Sequence, residues 1–260
     1  MAEDSIVVNK EGPIAMVIIN RPEVMNAVNG EIQSQLLNAF EWLAADGEVR
    51  VIILEGAGGN FSVGADMTLL HESFDVYQTY DVLKNGIGKL ITSMRATPQP
   101  VICKVRGNVY GGGMGLALAG DFVIASENSR FCEAFVNIGV TLDGGASYFL
   151  PRLIGMARAR ELAFLGNAVS GKDAAAMGLI YRAVPERSLD AEVSALAQVL
   201  LRKSPQALAS IKDTLEDTFD RSLKEALEWE ASHQAIMLQS KEHKEAVRRF
   251  LNSHNKNRFI

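Results

Sequence analysis

The sequence predicts an α/β fold, a sheet covered by helices and followed by a helical C-terminal region. Three observations carry this. Short apolar runs of strand length recur through the first two hundred residues, helical periods lie between them, and beyond about residue 188 only helix signals remain. The strand-like runs are "IAMVII" (14–19), "VIIL" (51–54), "VICKV" (101–105) and "FVIA" (122–125). Apolar on both faces, they belong in a sheet with helices over it. Between the first two, a helix is predicted from about Asn29, because Ile32, Leu36, Phe40 and Leu43 recur at spacings of four, four and three. A second helix is predicted over 78–95. In the C-terminal part, Ser204 precedes Pro205 as cap and first helical residue, Ser222 and Glu225 form a capping box, and Ser240 precedes Ala246, Val247, Phe250 and Leu251. The expected organisation is a core over 1–195 and a helical region over 196–260, with no Pro/Ser-rich linker between them.

Composition narrows the function. A chain of 260 residues, 48% apolar and 22% charged, can bury a large core. Its net charge is −5 and no block of Lys or Arg occurs, which argues against nucleic acid or an anionic membrane as partner, since both require concentrated positive charge. Cys103 and Cys132 sit in apolar contexts without CxxC spacing and read as buried reduced thiols. With no signal-peptide-like run in "MAEDSIVVNKEG" and no long apolar span, the expected location is cytoplasmic.

Two glycine-rich loops hold the candidate chemistry. In "VICKVRGNVYGGGMGLALAGD" (101–121) a strand leads through Gly107 to Gly111, Gly112, Gly113 and Gly115 at the start of a helix. A dinucleotide GxGxxG fails because Leu118 stands at the third glycine, and a phosphate-binding P-loop fails because Gly113 stands at the lysine. What remains is a backbone that approaches something closely, with free N–H groups at a helix start; a tight strand-to-helix crossing explains the glycines equally well. "GGNFSVGADMTLL" (58–70) follows another strand and opens another short helix at Val63-Gly64-Ala65. Two such N–H groups aimed at one carbonyl oxygen would each supply about 2.7–4 kcal/mol of transition-state stabilisation.

These segments, with "VIINRPEVMNAVN" (17–29), "FCEAFVNIGVTLDGGASYFLPRLIG" (131–155) and "GNAVSGKDAAAMGLIYRAVP" (166–185), are similar to the enoyl-CoA hydratase/isomerase superfamily, the crotonases. The resemblance implies a spiral of ββα units, a C-terminal helical region that supports trimers often paired into hexamers, and acyl-CoA thioester substrates. It implies an oxyanion hole made by the N–H groups of Ala65 and Gly112. It also implies that Val24, Met25, Val63, Asp66, Met67 and Thr68 line the adenine and pantetheine path. Coenzyme A enters as part of the substrate, and no metal or redox cofactor is called for.

Departures from the family pattern bear on the reaction. Hydratases that this chain resembles have two glutamates, and here those positions are Gly115 and Phe135. General acid/base help from such groups is worth about 10²–10⁴ in rate. Glu133 lies two residues from Phe135, but in an extended segment that offset directs it elsewhere. Asp143 in "NIGVTLDGGAS" stands where double-bond-shifting members carry an aspartate, and the run looks most like the phenylacetate-pathway ring-opening isomerase type. Beside Ile138, Val140 and Leu142, a carboxylate in an apolar setting gains basicity. The expected activity is an acyl-CoA isomerase with Asp143 as the base. Three alternatives stay open: a hydratase with a non-standard carboxylate, a hydrolytic enzyme like the aryl-CoA dehalogenases (their tryptophan position is Phe135), and a non-catalytic acyl-CoA binder. Asp143 also reads as an N-cap of the helix that follows.

Other residues read as structural. His71, His233, His243 and His254 lack metal-ligand spacing, and Ser147 lacks the glycine a nucleophile elbow needs. Asp121 and Asp66 sit at element ends, and Trp42 and Trp229 on helical patterns read as packing residues.

Overall fold

A computed structural model describes residues 5–67 and 75–256. The chain divides into two compact units, Met1–Leu201 and Arg202–Ile260. In the first, a six-stranded sheet has the order β1-β2-β3-β4-β6-β9, from β1 (Ile6–Glu11), β2 (Ile14–Ile19), β3 (Val51–Gly56), β4 (Val101–Val105), β6 (Phe122–Ser126) and β9 (Arg182–Val184). β1 and β2 form an antiparallel hairpin, and every other pair in this sheet is parallel. A second sheet of three short strands joins β5 (Asn108–Tyr110), β7 (Arg130–Cys132) and β8 (Val169–Ser170).

The four apolar runs are β2, β3, β4 and β6, and β3 is buried on both faces over its first four residues. β2 differs from expectation. Ala15, Val17 and Ile19 are fully buried while Ile14, Met16 and Ile18 are half-buried, because β2 neighbours the edge hairpin strand and one of its faces is only partly covered.

Helix α1 (Gly30–Ala45) starts where Asn29 Oδ1 accepts the Ile32 N–H at 2.9 Å, and it buries Ile32, Leu36, Phe40 and Leu43. Trp42, expected to pack, is 50% exposed with Lys10 over its ring. One residue from Leu43, it lies about 100° around the helix from the buried stripe. The helix expected over 78–95 is two, α2 (Val76–Leu83) and α3 (Lys89–Ala96), joined by a wider π turn through Lys84–Gly88 with two glycines. Asp75 caps α2 in a box with Gln78.

After β5 comes α4 (Gly112–Leu118), then α5 (Ala146–Leu165), α6 (Gly171–Ala176) and α7 (Leu189–Leu201). α7 straddles the expected boundary at 195 and packs against β3, β4 and β6. Arg50 holds its end by donating to the Leu201 carbonyl.

The second unit contains α8 (Pro205–Glu216), α9 (Leu223–Met237) and α10 (Lys241–Lys256). Ser204 caps α8 and the Ser222–Glu225 box caps α9. Trp229 stacks on His233 and carries Arg221 over its ring at 4.0 Å. Ile211, Leu215, Phe219, Leu223, Leu227 and Ile236 of this unit are exposed.

Candidate active site

The loop after β3 is fixed on both sides by backbone. Along one side the Ser62 N–H donates to Asn108 O (3.2 Å) and the Tyr110 N–H to Ser62 O (3.0 Å), which lays the loop on β5. Along the other, the Val28 N–H donates to Gly64 O (2.7 Å) and the Asp66 N–H to Val28 O (3.1 Å). In such a parallel pairing Ala65, between the two bonded groups, turns its own N–H to the opposite edge. Asn26, fully buried, locks the turn: its Nδ2 donates to Ala57 O and Asn60 O, and its Oδ1 accepts the Arg21 N–H.

The second loop meets the first at Gly64. With φ +83°, that residue is in the left-handed region, and a Cβ there would stand 2.6 Å from Tyr110 O and 3.1 Å from Gly112 N. Glycine is what lets the two loops close. The Gly111 N–H is anchored on Cys132 O (2.9 Å), so α4 begins with Gly112 beside Ala65's loop. Among the described residues neither the Ala65 nor the Gly112 N–H has an acceptor. Two adjacent donors of this kind suit an oxyanion.

Asp143 lies against the same point. Its Oδ1 is 3.7 Å from where a Gly112 Cβ would be, and burial raises its carboxyl above the ordinary carboxylate range. The N-cap alternative does not describe this side chain. α5 starts only at Ala146, Gly145 takes the cap position, and Asp143 contributes its backbone carbonyl to the Ala146 N–H (3.0 Å). Of its apolar sequence neighbours, Ile138 and Val140 are 49% and 52% exposed, and Leu142 alone packs against the core. The carboxylate is instead covered where its loop lies on α4. There, the Gly144 carbonyl occupies the space that a Gly115 Cβ would need, so a glutamate at 115 is excluded by the loop that delivers Asp143. Phe135 is buried, its ring 3.5 Å from where a Gly111 Cβ would be. Both glutamate positions are therefore filled, one by backbone and one by an aromatic ring.

Glu133 was directed elsewhere by strand parity, and the structure corrects this. β7 ends at Cys132 and the chain enters a 3₁₀ turn over Ala134–Ile138, so alternation no longer applies. Glu133 is fully buried, and neither carboxylate oxygen has a hydrogen-bond partner among the described residues. Burial, with the nearby Asp143 charge second, pushes its pKa up to about 8. The missed signal was a charge inside the apolar run "FCEAF", the same pattern that singled out Asp143.

The residues expected along the coenzyme A path divide. Met25 and Met67 are exposed, Val24 and Val63 half-buried, and the Val63 N–H donates to Met25 O, joining the two segments. Asp66 is 9% exposed and its Oδ2 meets the Arg21 guanidinium at 3.0 Å, so its carboxylate braces the loop. Thr68 and His71 lie outside the described residues. Cys103 and Cys132 are buried thiols whose Sγ atoms donate to Leu116 O and Gly166 O. Among the described residues no cluster of His, Cys, Asp or Glu has metal-binding geometry.

Comparison with known proteins adds four findings. A profile of the enoyl-CoA hydratase/isomerase family matches residues 9–258. A protein named as a probable enoyl-CoA hydratase from Rhodobacter capsulatus is 35% identical, over 92% of this chain and 91% of its own. The 1,2-epoxyphenylacetyl-CoA isomerase of Escherichia coli is 32% identical, over 93% of each. Among solved structures, an enoyl-CoA hydratase from Mycobacterium smegmatis superposes with a TM-score of 0.92 at 25% identity, covering 96% of this chain and 97% of that one.

Proposed function

Since the chain belongs to the enoyl-CoA hydratase/isomerase family, whose members have the crotonase fold and act on acyl-CoA thioesters, we propose that it is an acyl-CoA isomerase that moves a double bond. Asp143 takes a proton from the α or γ carbon. As that C–H bond breaks, its electron pair delocalises onto the thioester oxygen, where the Ala65 and Gly112 N–H groups hold the enolate. The same carboxyl then returns the proton to a different carbon.

The observation that carries this reading is the placement of Asp143 Oδ1 beside Gly112 while backbone and Phe135 fill the two glutamate positions. A half-buried carboxyl of raised basicity beside Gly112 suits proton shuttling, and a hydratase needs a further group placed to activate water. Coenzyme A would run past Met25, Val63 and Met67, with Asp66 acting through Arg21. The second unit, with its exposed apolar helices, would join copies into a trimer or a pair of trimers.

The test uses a β,γ-enoyl-CoA in D₂O with wild-type protein, Asp143→Asn and Asp143→Ala. Loss of isomerisation and proton exchange by about 10²–10⁴ is expected. Undiminished turnover in both variants would remove Asp143 from the chemistry, and rapid ¹⁸O uptake from water into crotonyl-CoA would favour a hydratase.

A further inference from the structure

Ser62 touches both loops of the site. It is fully buried, and its backbone and its hydroxyl are each engaged as donor and as acceptor. Its N–H donates to Asn108 O (3.2 Å), and its carbonyl accepts the Tyr110 N–H (3.0 Å), two residues before Gly112. The hydroxyl donates to Asn26 O (2.8 Å) and accepts the Gly64 N–H (3.1 Å), one residue before Ala65. A Cβ on Gly113 would stand 2.9 Å from Ser62 Oγ, so the same side chain lies against the first turn of α4.

These contacts converge on one peptide plane. The Ala65 N–H belongs to the plane that joins Gly64 to Ala65, and the carbonyl of that plane accepts the Val28 N–H at 2.7 Å. In a trans peptide the N–H points away from the C=O, so whatever holds Val28 also aims the Ala65 N–H. Val28 follows Met25 and Asn26, whose φ values of +52° and +57° put two side-chain-bearing residues in the left-handed region. The Ser62 hydroxyl braces this arrangement twice, at Asn26 O before Val28 and at the Gly64 N–H before Ala65. Without it, both of those buried backbone groups would have no partner among the described residues, and a shift of the 64–65 peptide would relieve the cost.

We propose that Ser62 is a positioning residue for the oxyanion site: its hydroxyl aims the Ala65 N–H at the point that the Gly112 N–H faces. This deepens the reading given above and rests on it. The enolate oxygen needs both donors more than the ground-state thioester does, so the loss falls on the transition state.

Two readouts on the full chain test it. With a β,γ-enoyl-CoA, Ser62→Ala should lower kcat by about 10–10² and leave KM within about threefold of wild type. Infrared difference spectra of bound butyryl-CoA, labelled with ¹³C at the thioester carbonyl, should show the stretch lowered in wild type by the two amides and lowered less in Ser62→Ala. Ser62→Cys, with a weaker donor and acceptor of similar size, should fall between them in both readouts, and it serves if the alanine variant does not fold. Val51→Ala, which empties a fully buried position at the start of β3, is the control for lost stability and should keep kcat and the carbonyl shift. The proposal is overturned if the Ser62 variants keep the wild-type kcat and shift, if only KM changes, or if Val51→Ala loses as much of both. An unshifted carbonyl in wild type would instead overturn the oxyanion reading of Ala65 and Gly112. The infrared readout needs no turnover, so a protein that shows the shift but moves no double bond would overturn the isomerase reading alone.

Discussion

Gly115→Ala separates a glycine that merely tolerates a turn from one that places the catalytic loop. A Cβ at 115 would run into the Gly144 carbonyl oxygen and lie 2.9 Å from Gly144 C and 3.1 Å from its Cα. Ordinary carbon contacts are about 3.5–4.0 Å, so the 143–145 loop would have to retreat by about 1 Å, and backbone cannot rotate aside as a side chain does. Overpacking of this kind costs about 1–3 kcal/mol, whereas Ala in place of Gly within α4 returns about 0.5–1 kcal/mol of helix propensity. The clash wins by about 1–2 kcal/mol, which for a chain of this size lowers Tm by about 2–8 °C. The larger effect is on rate, because a 1 Å misplacement of a reacting group costs about 10². Calorimetry and isomerisation of a β,γ-enoyl-CoA measure the two. A variant with unchanged or higher Tm and wild-type kcat would refute the argument that Gly115 positions Asp143.

Three further outcomes are expected. Ala65→Pro removes an N–H that bonds nothing among the described residues, since the pairing with Val28 uses Gly64 O and Asp66 N; kcat should fall about 10²–10³ with the fold intact by circular dichroism. Glu133 has its folded pKa raised from 4.5 to about 8, so its contribution to stability is fully present below pH 4.5 and is lost as pH rises to 8. The shift corresponds to at most about 5 kcal/mol over the whole range, and urea titrations at pH 5 and pH 8 should show Glu133→Gln gaining on wild type by up to about 3.5 kcal/mol across that interval. Light scattering after size exclusion should give a multiple of three chains, reduced by Leu215→Asp or Leu227→Asp, and a wild-type monomer would remove the assembly role from the second unit.

The parts legible in the sequence were those fixed by neighbours in the chain. α1 followed from one apolar stripe and Asn29, and the starts of α8 and α9 from Ser204 and from Ser222 with Glu225. β2, β3, β4 and β6 stood out because whole apolar runs fill them. What escaped depends on distant partners. β5, β7, β8 and β9 are two or three residues long, too short for any period, and exist through pairings such as Asn108 with Arg130. The hairpin strand β1, turning at Gly12 and Pro13, was overlooked among charged neighbours. At the site, the glycine loops and Asp143 were readable as chemistry, but which groups are buried was not. Ile138 and Val140 are exposed, whereas Glu133 is buried because the chain leaves β7 and turns.

Charge conservation ties the site together. In the proposed reaction the negative charge is first on Asp143. When a proton is abstracted, Asp143 becomes neutral and the charge appears on the thioester oxygen beside the Ala65 and Gly112 amides. The net charge of the pocket is the same in both states, so a site that excludes water need compensate only one charge, moved over a short distance. Two neutral N–H donors would suit that task. Outside that exchange, the unpartnered burial of Glu133 pushes the pKa of its carboxyl up to about 8, so its ionisation costs the fold stability as pH rises toward that value.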